Sequence, residues 1–243
     1  MCYNVRIYKE SSQGKKMSLQ KSRKIIKFMT ALTAILMLVQ AVIVFASNAT
    51  TFSQTISDGT LSVDIVDGTG VTVGSPAVTF GGLTFAFASQ TATGTLGAAA
   101  QRIRVYNPTS TATWTTSIAA TDGATALWTS GADTYDFNDS NADGTDDADA
   151  DAKGGKLTVD PSVGTVAGVP DDVACSPNTG ITKGSSAAFR EIAVAVSSIT
   201  LLSGSASAAT YCRWDFTGVS LSQVVPASQP SGTYSLSFTI TIA

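Results

Sequence analysis

Apolar and polar residues alternate with a period of two along most of the chain after residue 46. The last segment shows this pattern most clearly, because Tyr234, Leu236, Phe238, Ile240 and Ile242 alternate with Ser and Thr. Side chains of a β-strand point alternately to opposite faces, so this segment predicts a strand with one apolar face. Burial of each of these apolar side chains would stabilise the fold by about 1.5–3 kcal/mol.

The same alternation recurs in shorter segments that are separated by Gly, Pro and Asn turn signals. Their apolar positions are Leu61, Val63 and Ile65; Val78 and Phe80; Leu83 and Phe85; Ile103 and Val105; Leu157 and Val159; Ile192, Val194 and Val196; and Val219 and Leu221. None of the sequence after residue 46 has a helical apolar stripe. About ten strands with short connections predict an all-β fold, an antiparallel β-sandwich of immunoglobulin-like or jelly-roll type.

The first 46 residues have a different pattern. Eight of the fifteen basic residues lie in the first 27 positions, and a 19-residue apolar run follows from Phe28 to Ala46. This order, with Val44 and Ala46 at the cleavage positions, is typical of a signal peptide. An uncleaved membrane anchor is the alternative, because the run is long enough to span a bilayer. We therefore expect a leader helix within residues 1–46, and residues 47–243 as an extracellular or cell-surface β-sandwich domain that contacts the membrane only through an uncleaved leader.

Charge limits the classes of function. From residue 47 onward, seven Lys and Arg stand against seventeen Asp and Glu, so this part carries about −10 and no nucleic-acid partner is expected. The chain has no His, which excludes Ser-His-Asp and Cys-His nucleophilic sites. We expect a protein that is not an enzyme. A secreted hydrolase with two Asp residues across a cleft is the enzymatic alternative.

The acidic residues concentrate in one segment, since eight of the seventeen lie between residues 133 and 151 with no Lys or Arg among them. Carboxylates at this density repel one another, so a compact loop needs a cation. Oxygen-bearing side chains at alternate positions before Gly144 match the start of a calcium loop. The predicted calcium ligands are Asp139, Asn141, Asp143, the carbonyl of Thr145, Asp147, and either Asp149 or Asp151.

This loop resembles the D-x-N-x-D-G-x-x-D loops of dockerin modules and thrombospondin type 3 repeats, over about a dozen residues. An EF-hand has Glu at the twelfth position, where this chain has Ala150, and the resemblance implies that Asp supplies the last ligand. We expect Ca²⁺ as a structural cofactor of an insertion over about 131–155, between predicted strands at 125–129 and 156–160. A solvated acidic loop without an ion is the alternative.

Two cysteines follow the leader, Cys175 and Cys212. An even pair in an exported domain predicts a disulfide, and closing their 37-residue separation would stabilise the fold by about 4 kcal/mol in the chain-entropy model. Two buried free thiols are the alternative.

Two further resemblances concern the strands. The residues Thr51-Phe52-Ser53 and Gly59-Thr60-Leu61-Ser62-Val63 resemble the start of TasA and camelysin-like proteins. That resemblance implies a secreted sandwich whose N-terminal strand completes the sheet of the next subunit. Tyr106 to Ile118 and Pro230 to Tyr234 resemble parts of the WxL-type surface proteins of Gram-positive bacteria, which implies a location at the cell surface.

These features predict a non-enzymatic extracellular structural protein that serves as a surface or fibre subunit. Its partners would be copies of itself, joined by strand exchange, or other surface components. The Ser/Thr-rich segment 47–57 suits an exposed arm that adds to an open sheet edge, and pairing within its own sheet is the alternative.

A second function is an adhesin or carbohydrate-binding module. Trp114, Trp128, Trp214 and Tyr135 would then form a stacking platform on the surface. The alternative role for such aromatic residues in strands is the hydrophobic core.

Overall fold

The computed structural model describes residues 23–24, 26–30, 53–139, 154–169, 175, 178–191 and 195–243. The described residues fall into two units, one within 1–55 and the other within 56–243. In the first unit residues 26–30 are helical, and the Thr30 hydroxyl donates to the Ile26 carbonyl at 2.6 Å. No helix of the described residues is long and apolar enough to cross a membrane. Most of the expected leader helix, residues 1–22, 25 and 31–46, lies outside the described residues.

The second unit is built from β-strands, and a short 3-10 turn lies at Pro161–Val163. The described strands are β1 Ser62–Val66, β2 Gln90–Leu96, β3 Arg102–Asn107, β4 Trp114–Ala120, β5 Trp128–Ser130, β6 Asp133–Tyr135, β7 Lys156–Asp160, β8 Thr165–Gly168, β9 Ile181–Lys183, β10 Ala187–Ala188, β11 Ile199–Gly204, β12 Cys212–Thr217, β13 Val219–Val225 and β14 Phe238–Ile242.

These strands form three four-stranded sheets and one two-stranded hairpin. The strand orders are β1-β3-β12-β8, β10-β7-β13-β2 and β14-β4-β11-β9, and β5 pairs with β6 in the hairpin. Every pairing between described strands is antiparallel. The prediction of an all-β fold with antiparallel sheets is therefore confirmed.

One hydrophobic core is shared by the sheets, because the period-two pattern turns apolar side chains of each sheet inward. Trp214 of β12 and Trp114 of β4 meet there with ring centroids 5.5 Å apart. Phe216, Val159 and Leu201, which come from three different sheets, are fully buried.

Two glycines form the corners at which the chain passes between sheets. Gly218 is the single residue between β12 and β13, and Gly97 follows β2, both at a φ of 77°. A Cβ on Gly97 would lie 2.9 Å from the Phe216 carbonyl oxygen, so a side chain would collide with the backbone there. The Gly218 N–H donates to the Gly97 carbonyl at 3.0 Å and ties the two corners together.

Some predicted strands differ from the structure. Residues 75–88 contain no strand, although Val78, Phe80, Leu83 and Phe85 alternate, because only Gly81 among them pairs its N–H with the neighbouring strand β2. The last strand is regular from Phe238, and Ser235 before it forms an isolated bridge with Thr129. Ile192 and Val194 lie outside the described residues.

Candidate functional site

The predicted calcium loop is described only at its base. Asp139 is buried, its N–H donates to the Gly155 carbonyl at 3.0 Å, and its Oδ2 accepts from the Gly155 N–H at 2.9 Å. Asn141, Asp143, Thr145, Asp147, Asp149 and Asp151 lie outside the described residues. Within the described ranges no three His, Cys, Asp or Glu residues are grouped as metal ligands.

The two ends of this loop are held together by sheet pairing. Asn138 forms an antiparallel bridge with Lys156, and the Leu157 N–H donates to the Phe137 carbonyl at 2.6 Å. Asp136 precedes the bridge, and its Oδ1 accepts from the Phe137 and Asn138 N–H groups at 2.6 and 3.2 Å. This pairing therefore holds Asp139, the first predicted ligand, next to Gly155 at the other end of the loop.

A groove with a volume of about 560 Å³ lies between β1, β14 and residues 76–80. Ile118, Leu157 and Leu221 line it, and because these residues belong to the hydrophobic core, the groove reaches between the sheets. Apolar side chains that line it nearer the surface are Val63, Ile65, Val78, Phe80, Leu236, Phe238 and Ile240. Asp64 is the one charged residue among the described lining residues, so the groove lacks the paired carboxylates of a hydrolase.

Strand β14 forms one side of this groove and one edge of its sheet. Its described neighbour is β4, to which it pairs from Phe238 to Ile242, and no described strand pairs with its other edge. Phe238, Ile240 and Ile242 are only half-buried. A strand with an apolar face half-exposed beside an unpaired edge is suited to receive another strand.

The segment before β1 is exposed from Ser53 to Thr60. The Ile56 side chain is 87% exposed although it is large and apolar. Asp58 marks the point at which the chain joins the rest of its unit, since the Gly59 N–H donates to the Pro108 carbonyl at 2.9 Å.

Asp58 is held by three hydrogen bonds, and we call Asp58, Ser110 and Tyr211 the latch. The Ser110 hydroxyl and N–H donate to Asp58 Oδ2 at 2.7 and 3.0 Å, and the Tyr211 hydroxyl donates to Oδ1 at 2.8 Å. The Ser110 hydroxyl above all lowers the pKa of Asp58, and the hydrogen bond to Asp58 raises the pKa of Tyr211. Tyr211 has a φ of 57°, an uncommon backbone conformation for a residue with a side chain.

A buried ion pair lies on the sheet that contains β1. Arg104 of β3 binds Asp215 of β12 through two bonds, Nε to Oδ1 at 2.6 Å and Nη2 to Oδ2 at 2.9 Å, and Arg102 Nη1 adds a third at 3.1 Å. Burial raises the pKa of Asp215, but the hydrogen bonds from Arg104 and Arg102 outweigh it, and the net pKa lies below the ordinary value. The three hydrogen bonds therefore pair the Asp215 carboxylate of β12 with the guanidinium groups of Arg104 and Arg102 on β3.

The aromatic residues expected for a carbohydrate platform are buried. Trp114, Trp128, Trp214 and Tyr135 are 3%, 8%, 1% and 5% exposed. Trp128 stacks on Tyr135, and burial of the Tyr135 phenol raises its pKa. The four side chains therefore belong to the core and do not form a surface platform.

Gln223 is a buried polar residue that the sequence patterns did not single out. Its Oε1 accepts from Trp128 Nε1 at 3.0 Å, and its Nε2 donates to the Val224 carbonyl at 2.8 Å. The signal lay in β13, where Gln223 occupies an apolar-face position after Val219 and Leu221. A polar residue at such a position needs a partner inside the fold.

The structure joins Cys175 to Cys212, which confirms the predicted disulfide. Both residues are buried, with Cα atoms 5.4 Å apart, and Cys212 is the first residue of β12. The bond therefore ties the chain after β8 to β12.

Comparison with known proteins gave no match to a family model, a curated protein or a solved structure.

Proposed function

We propose that this protein is a non-enzymatic extracellular structural protein, a surface or fibre subunit that joins copies of itself by strand complementation. The observation that carries the proposal is the groove beside β14, because it extends from a half-exposed strand to the core residues Ile118, Leu157 and Leu221. A strand placed there would add main-chain hydrogen bonds to the edge of β14 and apolar side chains to the core.

The donor in this proposal is segment 47–57 of a second copy. Phe52 and Ile56 are four positions apart, so both face the same side of an extended strand. Eleven extended residues span about 36 Å, which is long enough to reach a neighbouring subunit. Ile56 is exposed in the described chain, as a donor residue must be before assembly.

Charge supports a second copy as the occupant. Domains of about −10 repel each other, so contact is least unfavourable where neither side brings a charge. Segment 47–57 has no charged residue, and none follows Asp215 to the end of the chain, a range that includes β14. The donor segment and β14 are therefore both uncharged, and Asp64 of β1 is the one charged residue among the described residues that line the groove.

The remaining features of the proposal concern stability and export. Asp139, Asn141, Asp143, Thr145, Asp147 and either Asp149 or Asp151 would hold Ca²⁺, which would neutralise the acidic loop and fix its path. The leader would direct export as a signal peptide or membrane anchor. The sheets would form an immunoglobulin-like or jelly-roll sandwich.

Electron microscopy and sedimentation of the exported protein test the proposal, with Ile56→Asp as the informative variant. A carboxylate at Ile56 would have to enter the apolar groove, so we expect fibres or oligomers to disappear. Thr55→Asp is the matched control, because it adds the same charge to the opposite face of the arm and should leave assembly largely intact. An unmodified protein that remains monomeric at high concentration would contradict the proposal.

A further inference from the structure

An apolar strip lies on the segment between residue 80 and β2. Leu83, Phe85 and Phe87 are 43%, 50% and 85% exposed. The rings of Phe85 and Phe87 meet edge to face with centroids 5.1 Å apart. We call these three residues the 83–87 strip.

The backbone beneath the strip is anchored. The Ser228 N–H donates to the Ala86 carbonyl at 2.8 Å, and the Gln90 side-chain amide donates to the Thr84 carbonyl at 2.7 Å. The strip is therefore presented by a segment whose carbonyls are tied to two other parts of the unit. Contiguous exposed apolar side chains on such a support mark an interaction surface.

Two observations favour a second copy of this chain as the partner of the 83–87 strip. The same chain segment supplies Val78 and Phe80 to the groove lining, so the strip continues that apolar surface along the chain. No Asp, Glu, Lys or Arg occurs from residue 68 to residue 101, which makes this one of the longest uncharged stretches of an acidic domain. A partner that also carries about −10 would approach with least repulsion over this stretch.

We infer that the 83–87 strip is a second contact between copies of this chain, on which the body of the neighbouring subunit docks while its arm occupies the groove. The inference rests on the proposed function for the identity of the partner. It adds a contact between folded bodies to the contact made by the arm. Aromatic residues are enriched at such interfaces because they bury a large area with few rotatable bonds.

The test compares three variants of the full exported chain by sedimentation velocity, with urea unfolding of each as a check of the fold. In the first, Phe85→Ser and Phe87→Ser are combined. We expect association to weaken by about tenfold or more for each phenylalanine removed from an interface. The unfolding midpoint should stay within error, since both side chains are already exposed.

Val163→Ser is the matched control, because Val163 is a 59% exposed apolar residue on the 3-10 turn, outside the strip and the groove lining. Association of this control should equal that of the unmodified protein. Equal association of the double phenylalanine variant and the Val163 control would overturn the inference.

Ile56→Asp separates the inference from the proposed function. Weaker association in the phenylalanine variant with no change in Ile56→Asp would support the strip and contradict the arm as donor. Loss of association in Ile56→Asp alone would overturn the strip and leave the proposed function standing. No change in either would overturn both.

A lipid surface is the competing partner for exposed aromatic residues. Sedimentation with vesicles of phosphatidylcholine and phosphatidylglycerol decides this point. Vesicle binding by the unmodified protein that is lost in the phenylalanine variant would overturn the contact between copies. Absence of the protein from the vesicle pellet would support it.

Discussion

Strands β13 and β14 carry the same alternation of apolar and hydroxylated residues, yet they are buried to different degrees. β13 lies between β7 and β2, and its Val219 and Leu221 are 0% and 5% exposed. β14 has one described neighbour, and Phe238, Ile240 and Ile242 are half-buried. In these two strands, period two determines which side chains face inward, and the strand with fewer neighbours is covered less completely.

The largest expected effect is a contrast between the two strands. Leu221→Ala should lower the free energy of unfolding by about 2–5 kcal/mol, because it leaves a cavity in the core. Ile240→Ala should cost about 1 kcal/mol in the monomer, because the Ile240 side chain is only partly buried. Urea unfolding of both variants measures the contrast, and Ser222→Ala on the opposite face of β13 is the control. Equal losses of unfolding free energy at Leu221 and Ile240 would contradict the difference in burial between the two strands.

The buried ion pair between Arg104 and Asp215 is the next largest expected contribution to the free energy of unfolding. Asp215→Asn should cost about 3 kcal/mol, because it leaves Arg104 without its counter-charge. Urea unfolding measures the loss, and Asp122→Asn at an exposed position should change stability by less than about 0.5 kcal/mol. A nearly unchanged free energy of unfolding in Asp215→Asn would show that another group balances the charge of Arg104.

The same pair predicts a direction for the pH dependence. The pKa of Asp215 is lowered in the folded chain, so the unfolded chain binds the proton first as the pH falls. Asp215 contributes fully to the free energy of unfolding above its pKa in the unfolded chain, about 3.9. That contribution is lost as the pH falls through its lower pKa in the folded chain. Acid unfolding should therefore be less steep in Asp215→Asn.

Calcium removal should affect the loop that is closed on β7, next to β13. An ion at a hundredfold excess over its Kd stabilises a fold by about 2.7 kcal/mol, and chelation should remove that amount. Asp139→Asn should weaken the response to calcium, whereas Asp133→Asn, outside the predicted ligands, should keep it. Calorimetry with and without chelator gives the answer, and an unchanged melting temperature would contradict a structural ion.

The smallest effect on stability is expected at the latch. Asp58→Asn should leave the unfolding midpoint unchanged, because the side chain is exposed, yet slow assembly, because the base of the arm is less ordered. Asp67→Asn is the control, since the Thr69 hydroxyl likewise lowers the pKa of Asp67, which lies outside the latch. Light scattering follows assembly. The latch also predicts slower assembly as the pH falls through the lowered pKa of Asp58.

Much of the fold follows from local pattern. The alternation at Leu61, Val63 and Ile65 predicts β1, where these side chains are partly buried, and Leu157 and Val159 predict β7, where they are buried. A face that is turned inward fixes both the period and the register. The same reasoning was wrong for Leu83 and Phe85, where the alternation is present but, within residues 75–88, only the Gly81 N–H pairs with the neighbouring strand β2. Pattern describes a strand's faces and says nothing of its partners.

The candidate sites differ in the same way. The calcium ligands Asn141 to Asp151 follow from a local motif and stay a prediction, since they lie outside the described residues. The groove joins residues as distant as Val63 and Ile240, so no local pattern indicates it. The Trp residues resemble a binding platform in sequence, and only their burial assigns them to the core.

The position of Cys212 has a consequence beyond the loop that its bond closes. Cys212 directly follows Tyr211, whose hydroxyl holds Asp58 at the base of the arm. Thiols stay reduced in the cytosol, so on the proposed export this turn would gain its covalent anchor only outside the cell. Oxidation of Cys212 and the placement of the proposed donor segment would thus be linked through two consecutive residues.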